Sequence, residues 1–596
     1  MVISERLESL RRLMDSSGID AYIFNGSDPH GSEYPCSRWR SREWISGFTG
    51  SAGTVVVTAD KAGLWTDFRY WIQAPSELSG SGIELFRDGE EGTPDIGEWI
   101  AGELPAGSVL GYDGRTVTAK TAGEWDEKMR QRGIRVNSSL DLAEPLWTGR
   151  PALPGAPVIE LTYEETGESR SSKMQGLAEA LKKEDADSWI GIALDSAAWL
   201  LNVRGGDVPY NPVVNGFLIF TGNRLTWFTD ENRLPYSLKQ ALDKDGIGTA
   251  AYDDFFSALE NIPGNAKILI DPESITRAVM DRIPQNVTLR IGPDPVLVMK
   301  ACKNEVEISR INRAMEKDGA AMVRFMMRLE KAMDEGERLT ELDAATMLLE
   351  ERSALPGFLE ESFSPIPAFG AHGAICHYEA KPEGNSTLEP GPNLLLLDSG
   401  GQWEEGTTDI TRTFALGKPS DQQIRDYTLT LKGHVALSVI RFPRGSRGYQ
   451  LDALARSALW QEGINYGHGT GHGVGYRLNV HEGPHRISPA PVDVALLPGM
   501  VVSDEPGVYR ENLYGIRIEN LLLCREDITT EFGSFLAFDT LTLAPYDRSL
   551  IDTALLCENE IRWIDAYHSE VLKRLSPLLN EEETHWLEAA CAPFNG

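Results

Sequence analysis

The chain runs to 596 residues, beyond the ~250–300 at which a single hydrophobic core stops growing, so several domains are expected. Its 41% hydrophobic and 24% charged content is that of an ordinary soluble globular protein. A formal charge of −32 excludes nucleic acid and anionic membrane as natural partners, since like charges repel.

In chain order, "MVISERLESLRRLMDSSGIDAYIF" predicts a charged amphipathic helix leading into a strand, without the uninterrupted apolar core of a secretion signal. Six scattered cysteines with no C-x-x-C pair suit thiols in a reducing compartment, so a cytoplasmic protein is expected. No run of 18 apolar residues predicts a membrane span. An internal echo follows. "WISGFTG" (44–50) with "LWTDFRYW" (64–71) is answered by "WLLNVRG" (199–205) with "TWFTDENR" (226–233), each copy preceded by a helix-like stretch and an apolar strand. Two copies of one α/β module are expected. The Pro- and Gly-rich "LWTGRPALPGAP" (146–157) reads as a linker, and "RIGPDPVLV" (290–298) as a second boundary. A long helix is predicted over 303–333, with its methionines filling core rather than forming a functional stripe.

The third region holds seven of the ten histidines, between His372 and His485. In "NLLLLDSGGQWEEGTTDITRTFAL" (393–416) an apolar run, a turn and a second strand-like run predict a hairpin. A turn centred on Trp403–Glu404 would set Asp398 opposite Asp409. In "GMVVSDEPGVYRENLYGIRIENLLL" (499–523) a turn at Asn512 sets Glu505 opposite Glu519. Cross-strand partners have Cβ atoms about 4.5–5.5 Å apart, so facing carboxylates against apolar strands demand a shared proton or a cation. Between the hairpins, "YGHGTGHGVGYRLNVHEGPH" (466–485) has glycine at every second position around His468 and His472, which predicts an extended segment in close contact with other backbone. His481 to His485 fits H-E-x-x-H. That zinc motif needs a helix, and Pro484 with Gly483 opposes one. Four carboxylates and an imidazole form a mainly hard-oxygen donor set, suited to two divalent ions such as Mn²⁺, or Co²⁺ or Zn²⁺ where those are more available. Two ions about 3.5–4 Å apart can hold a bridging hydroxide and polarise a carbonyl, which points to amide hydrolysis.

The spacing of Asp398, Asp409, His472, Glu505 and Glu519 resembles the metal signature of the pita-bread metallopeptidases, family M24. "HGTGHGVG", "NVHEGP", "SDEPGVY" and "GIRIEN" resemble the long, three-domain cytosolic Xaa-Pro aminopeptidases (aminopeptidases P) of that family, as do "GFTGSAGT", "LWTDFRYWIQA" and "AWLLNVRGGDVPYNPV". The likeness covers nearly the whole chain. It implies an α/β (α+β) fold: two related N-terminal creatinase-like α/β domains, 1–150 and 151–297, then a pita-bread catalytic domain with a C-terminal extension, 298–596. It further implies that Asp398 chelates one manganese, Asp409 and Glu519 bridge both, and His472 with Glu505 complete the second. Glu505 is then the proton acceptor. His377 and His481 match histidines beside the scissile peptide, His468 and Arg517 residues on the proline side, and Arg69 a substrate-touching residue of the first domain. The implied reaction releases the first residue of a peptide with proline second, in a homodimer. Three-domain length weighs against prolidase or methionine aminopeptidase chemistry. The complete ligand set weighs against a non-catalytic binding module or a metal-free hydrolase. "FGAHGAICHY" (369–378) departs from the family pattern ahead of His377.

Overall fold

The computed structural model describes residues 2–594, which form two units. The first comprises residues 1–163 and 168–296 and holds two six-stranded sheets. One runs, edge to edge, Glu84–Arg87, Ala62–Thr66, Thr54–Thr58, Ala21–Asn25, Val109–Tyr112, Arg135–Asn137. The other runs Ile247–Ala250, Arg224–Phe228, Phe217–Thr221, Ser188–Gly191, Lys267–Ile270, Thr288–Ile291. Strand order and direction agree position by position: antiparallel pairing at the centre, parallel pairing toward both edges. The echo in the sequence is therefore a duplicated α/β module. Its "TD" element has a physical meaning. After the third strand of each copy an aspartate, Asp67 or Asp230, caps a single helical turn by accepting the N–H of Arg69 or Asn232. Each copy also has its own core, around Leu10, Val55 and Leu64 in the first and around Phe217, Phe255 and Ile268 in the second.

The second unit comprises 164–167 and 297 onward. Its first long helix, Glu305–Asp334, starts where the side chain of Asn304 accepts the N–H groups of Val306 and Glu307 and Glu307 answers the Asn304 N–H, all at 3.0 Å. Ile311, Met315, Met322, Phe325 and Leu329 line its buried face, so the methionines are core as expected. A three-stranded sheet, Ile366–Phe369, Leu394–Ser399 and Ile410–Ala415, packs on that face. A six-stranded sheet takes Phe442–Pro443, Gly533–Thr540, Asn520–Thr530, Val501–Asp504, Gly471–Gly473 and Glu482–Ile487 in that order. A separate ladder pairs Gly507–Arg510 with Tyr514–Arg517. Helices Asp421–Ser438 and Glu558–Leu575 share a core with that ladder through Tyr427, Leu431, Ile516 and Ile564.

Candidate metal centre

Leu395 and Leu397 turn into the core beside Phe325 and Phe414, so by two-residue alternation Leu396 and Asp398 face the other side, where Ile366 and Ala368 meet Leu396. The register corrects one expectation: Asp398 pairs with Thr411, not Asp409. Gly400 and Gly401 interrupt the hairpin. Past them a second ladder pairs Gln402 with Thr407 and Trp403 with Gly406, which moves the turn centre one residue along, to Glu404 and Glu405. Asp409 sits in the break between the ladders, where no strand partner fixes its direction.

The other hairpin turns at Asn512, whose φ is +60°, as expected. Gly507 pairs with Arg517 and Asp504 with Asn520, so Glu505 and Glu519 face each other across the gap between these ladders. Pro506 has no N–H to continue the ladder. The freed backbone groups reach sideways: Glu505 N–H donates to Thr470 O (2.8 Å) and Glu519 N–H to Thr411 O (3.1 Å). These two bonds draw the glutamates onto the segments that carry His472 and Asp409.

One donor atom each from Asp409, His472 and Glu519 lie within 4.8 Å of one another. His472 Nδ1 donates to Gly473 O at 2.9 Å, which aims Nε2 at the acids, 3.4 Å from Asp409 Oδ2 and 3.5 Å from Glu505 Oε1, as the nitrogen that could give up its proton to a metal ion. Asp398 accepts Arg517 Nη2 on Oδ2 (2.6 Å), while its buried Oδ1 has no hydrogen-bond partner. Burial, then the mutual repulsion of these acids, pushes Glu505 up to about 7 and Glu519 well above the usual carboxylate range. Asp398 also rises, by burial against the pull of Arg517. Burial alone would lower His472, but its hydrogen bond to Asp409 and the field of Glu505 carry it up to about 9. Buried acids that hold their protons in the absence of a cation, one with an unfilled oxygen, and an imidazole nitrogen aimed among them fit divalent cations, which would displace those protons.

The remaining expected residues divide. The His481 ring lies 4.3 Å from that of His472, edge to face. Tyr509 OH accepts Arg517 Nη1 and lies 2.8 Å from His468 Nε2, so these three join in one chain of polar contacts. His377 follows Cys376, whose carbonyl accepts Arg517 Nη2 at 3.4 Å. Arg69 belongs to the first unit, where it grips Asp67 through Nε and Nη2, both at 2.8 Å, and pairs with Glu33. The H-E-x-x-H run has no helix: Glu482–Ile487 is an edge strand, where Pro484 is tolerated. Glu482 is wholly buried between Lys300 (2.5 Å) and Lys303, and buried His485 gives its Nε2 proton to Val501 O. Neither belongs to the group formed by Asp409, His472 and Glu519. The glycines do what alternate spacing implied, since a Cβ on Gly471 would stand 1.9 Å from Ser503 O.

Sequence reasoning missed three supports. Ser503 Oγ donates to Glu505 and accepts the His472 N–H (2.9 Å), and Thr411 Oγ1 donates to Glu519 Oε2 (2.8 Å). Ser503 lies two residues before Glu505 and Thr411 two residues after Asp409, each just inside the strand that the acid flanks. Arg412, fully buried, donates to the carbonyls of Thr411, Glu519, Ala544 and Pro545, to Asn520 Oδ1 and to Tyr567 OH. Nothing local in the sequence announces those partners.

Acid-bearing hairpins meeting over an imidazole, on this fold, define a metallohydrolase. A model described as metallopeptidase family M24 matches residues 309–526, and one described as the C-terminal region of that peptidase matches 534–594. Creatinase/prolidase N-terminal domain models match 6–144 and 149–307. Aminopeptidase P2 of Arabidopsis thaliana is 37% identical, covering 98% of this chain and 88% of its own. A probable Xaa-Pro aminopeptidase P of Neurospora crassa is 38% identical, over 99% and 89%. The crystal structure of an X-prolyl aminopeptidase from Caenorhabditis elegans, described as a cytosolic enzyme with a di-nuclear active site, superposes with a TM-score of 0.95 at 35% identity over 100% of both chains. The chain belongs to metallopeptidase family M24, among the Xaa-Pro aminopeptidases P.

Proposed function

We propose that the enzyme holds two divalent ions with Asp398, Asp409, His472, Glu505 and Glu519 and removes the first residue of peptides whose second residue is proline. Metal-dependent Xaa-Pro aminopeptidase activity is the function of its relatives and of this chain. The observation that carries the ligand assignment is the convergence of Asp409, His472 and Glu519 within 4.8 Å among further buried carboxylates. When bound, the ions polarise the scissile carbonyl and lower the pKa of water for attack.

The residues of the chain have these roles. Asp398 would hold one ion, His472 and Glu505 the other, and Asp409 and Glu519 would contribute to both. Glu505, held by Ser503, takes the proton of the attacking water and passes it to the leaving nitrogen. His377 and His481 donate to the carbonyl oxygen as charge develops there. The scissile nitrogen is tertiary and offers no hydrogen. Selectivity therefore comes from an apolar seat for the pyrrolidine ring, with His468 and Arg517 on its proline side, and from acidic surroundings that attract the free α-amine. Arg69 contributes from the first domain. The domain division proposed is 1–150, 151–297 and 298–596. The oxygen-rich donors support Mn²⁺, with Co²⁺ or Zn²⁺ as substitutes. The cytosolic description of the nematode enzyme supports a cytoplasmic location. Among the described residues no helix is long and apolar enough to cross a membrane. The homodimer rests on family resemblance.

The test is cleavage of an Arg-Pro-Pro peptide by chelator-treated protein with and without Mn²⁺. Activity is expected to vanish and return, while Glu505→Gln stays inactive in Mn²⁺. Activity indifferent to chelation removes the mechanism, and faster turnover of Xaa-Pro dipeptides than of longer peptides removes the substrate assignment.

A further inference from the structure

Glu341 opens the helix Glu341–Ser353 and is fully buried, yet among the described residues no lysine or arginine pairs with it. Its carboxylate is instead surrounded by donors from one later stretch of chain. Oε1 accepts the Phe369 N–H and lies 2.8 Å from His372 Nδ1. Oε2 accepts Tyr378 OH at 2.8 Å and the Ser386 N–H at 2.6 Å. The backbone repeats the attachment, since Glu341 N–H donates to Ser386 O and Leu388 N–H to Leu339 O. One side chain thus gathers both ends of the 369–386 segment and two side chains within it. His372 and Tyr378 stack on each other as well, ring centres 4.4 Å apart.

The held segment abuts the centre. Gly373 lies so close on Gly515 that a Cβ on either would come within 2.6 Å of the other's backbone. The Cys376 carbonyl meets Arg517, and Tyr378 and Tyr509 each pack against the cluster of Ile366, Ala368 and Leu396. His377 sits between Cys376 and Tyr378, so its backbone is fixed on both sides, by Arg517 before it and by Glu341 after it.

We propose that Glu341 is a positioning residue for His377: its buried carboxylate clamps the 369–386 segment at Phe369, His372, Tyr378 and Ser386 and so sets where the His377 imidazole stands. This rests on the reading of His377 as a substrate-facing histidine. It also accounts for the departure in "FGAHGAICHY", because His372 is there a brace that requires the carboxylate. Charge-assisted bonds to a fixed carboxylate are geometrically stiff, and a catalytic group displaced by about 1 Å loses about 100-fold in rate.

The test is a double-mutant cycle in the Mn²⁺-loaded full-length enzyme. Glu341→Gln keeps size and one acceptor but presents an NH₂ where two donors now point. It is expected to lower kcat on an Arg-Pro-Pro peptide by about 100-fold, with KM, Mn²⁺ stoichiometry and melting temperature near wild type. In a His377→Ala background the same change is expected to alter kcat less than about twofold, since the effect travels through the missing imidazole. Equal losses in both backgrounds, or lost Mn²⁺ binding, overturn the proposal as a general structural defect. Full activity of Glu341→Gln beside an impaired His377→Ala overturns the positioning alone. Full activity of His377→Ala overturns the role of His377 and this proposal together. Should Glu341→Gln not fold, Tyr378→Phe removes one donor only and must show the same disappearance of its smaller effect in the His377→Ala background.

Discussion

Gly471→Ala tests whether the centre depends on the close approach of two strands. The added Cβ would stand 1.9 Å from Ser503 O, a backbone atom that cannot rotate aside, where ordinary contact begins at 3.4 Å. The strands must therefore part by about 1.5 Å, whereas ligand distances in a metal site tolerate about 0.2 Å. His472 is the next residue on one strand, and Ser503, which holds Glu505, lies on the other. Overpacking of this kind costs about 1–3 kcal/mol in stability, and disturbed outer partners cost about 10–100-fold in metal affinity. Titration of the metal-free protein with Mn²⁺ by calorimetry should show at least one of two sites weakened by that factor, with peptide cleavage lost in parallel. Gly469→Ala is the control, because its Cβ would meet only Ser488 Cβ at 3.2 Å and Ile487 O at 3.4 Å. Wild-type Mn²⁺ affinity and turnover in Gly471→Ala would refute the reasoning.

Two further outcomes follow from buried groups. Burial, then the nearby arginines 548 and 412, pushes His568 down to about 3, and it accepts the Tyr546 N–H in its neutral form. Its contribution is full above the unfolded value near 6.5 and is lost as pH falls from there toward 3, so the stability gap between wild type and His568→Gln should shrink by about 1.4 kcal/mol per pH unit below 6.5. A gap independent of pH in urea melts contradicts this. Glu482→Gln strands Lys300 and Lys303 in the interior without their anion and should destabilise by about 3–5 kcal/mol, partly restored by Lys303→Met. An unchanged unfolding midpoint rules it out.

The facing of Glu505 and Glu519 was legible because strand alternation and hairpin symmetry are local rules. Asn512 centres a regular turn, so Glu505 and Glu519 could be paired by counting. Counting failed at Asp398, because Gly400 lies where a Cβ would strike Thr408 O at 2.0 Å and the chain starts a second ladder beyond it. The duplicated module was legible from Asp67 and Asp230, whose capping role follows from residue type and position. The partners of Glu341, Arg412 and Glu482 were not legible. Apart from the bond of Arg412 to its neighbour Thr411, each bond there joins residues far apart in the chain, and only the closed fold brings them together.

Arg412 ties the stretch that follows the last strand, 544–567, to the acid-bearing strands. The carbonyls of Glu519 and Thr411 are held by a guanidinium whose other acceptors are Asn520, Ala544, Pro545 and Tyr567. Removal of the stretch from Ala544 to Tyr567 would take away three of the six acceptors of this buried guanidinium and leave its charge uncompensated directly behind Glu519.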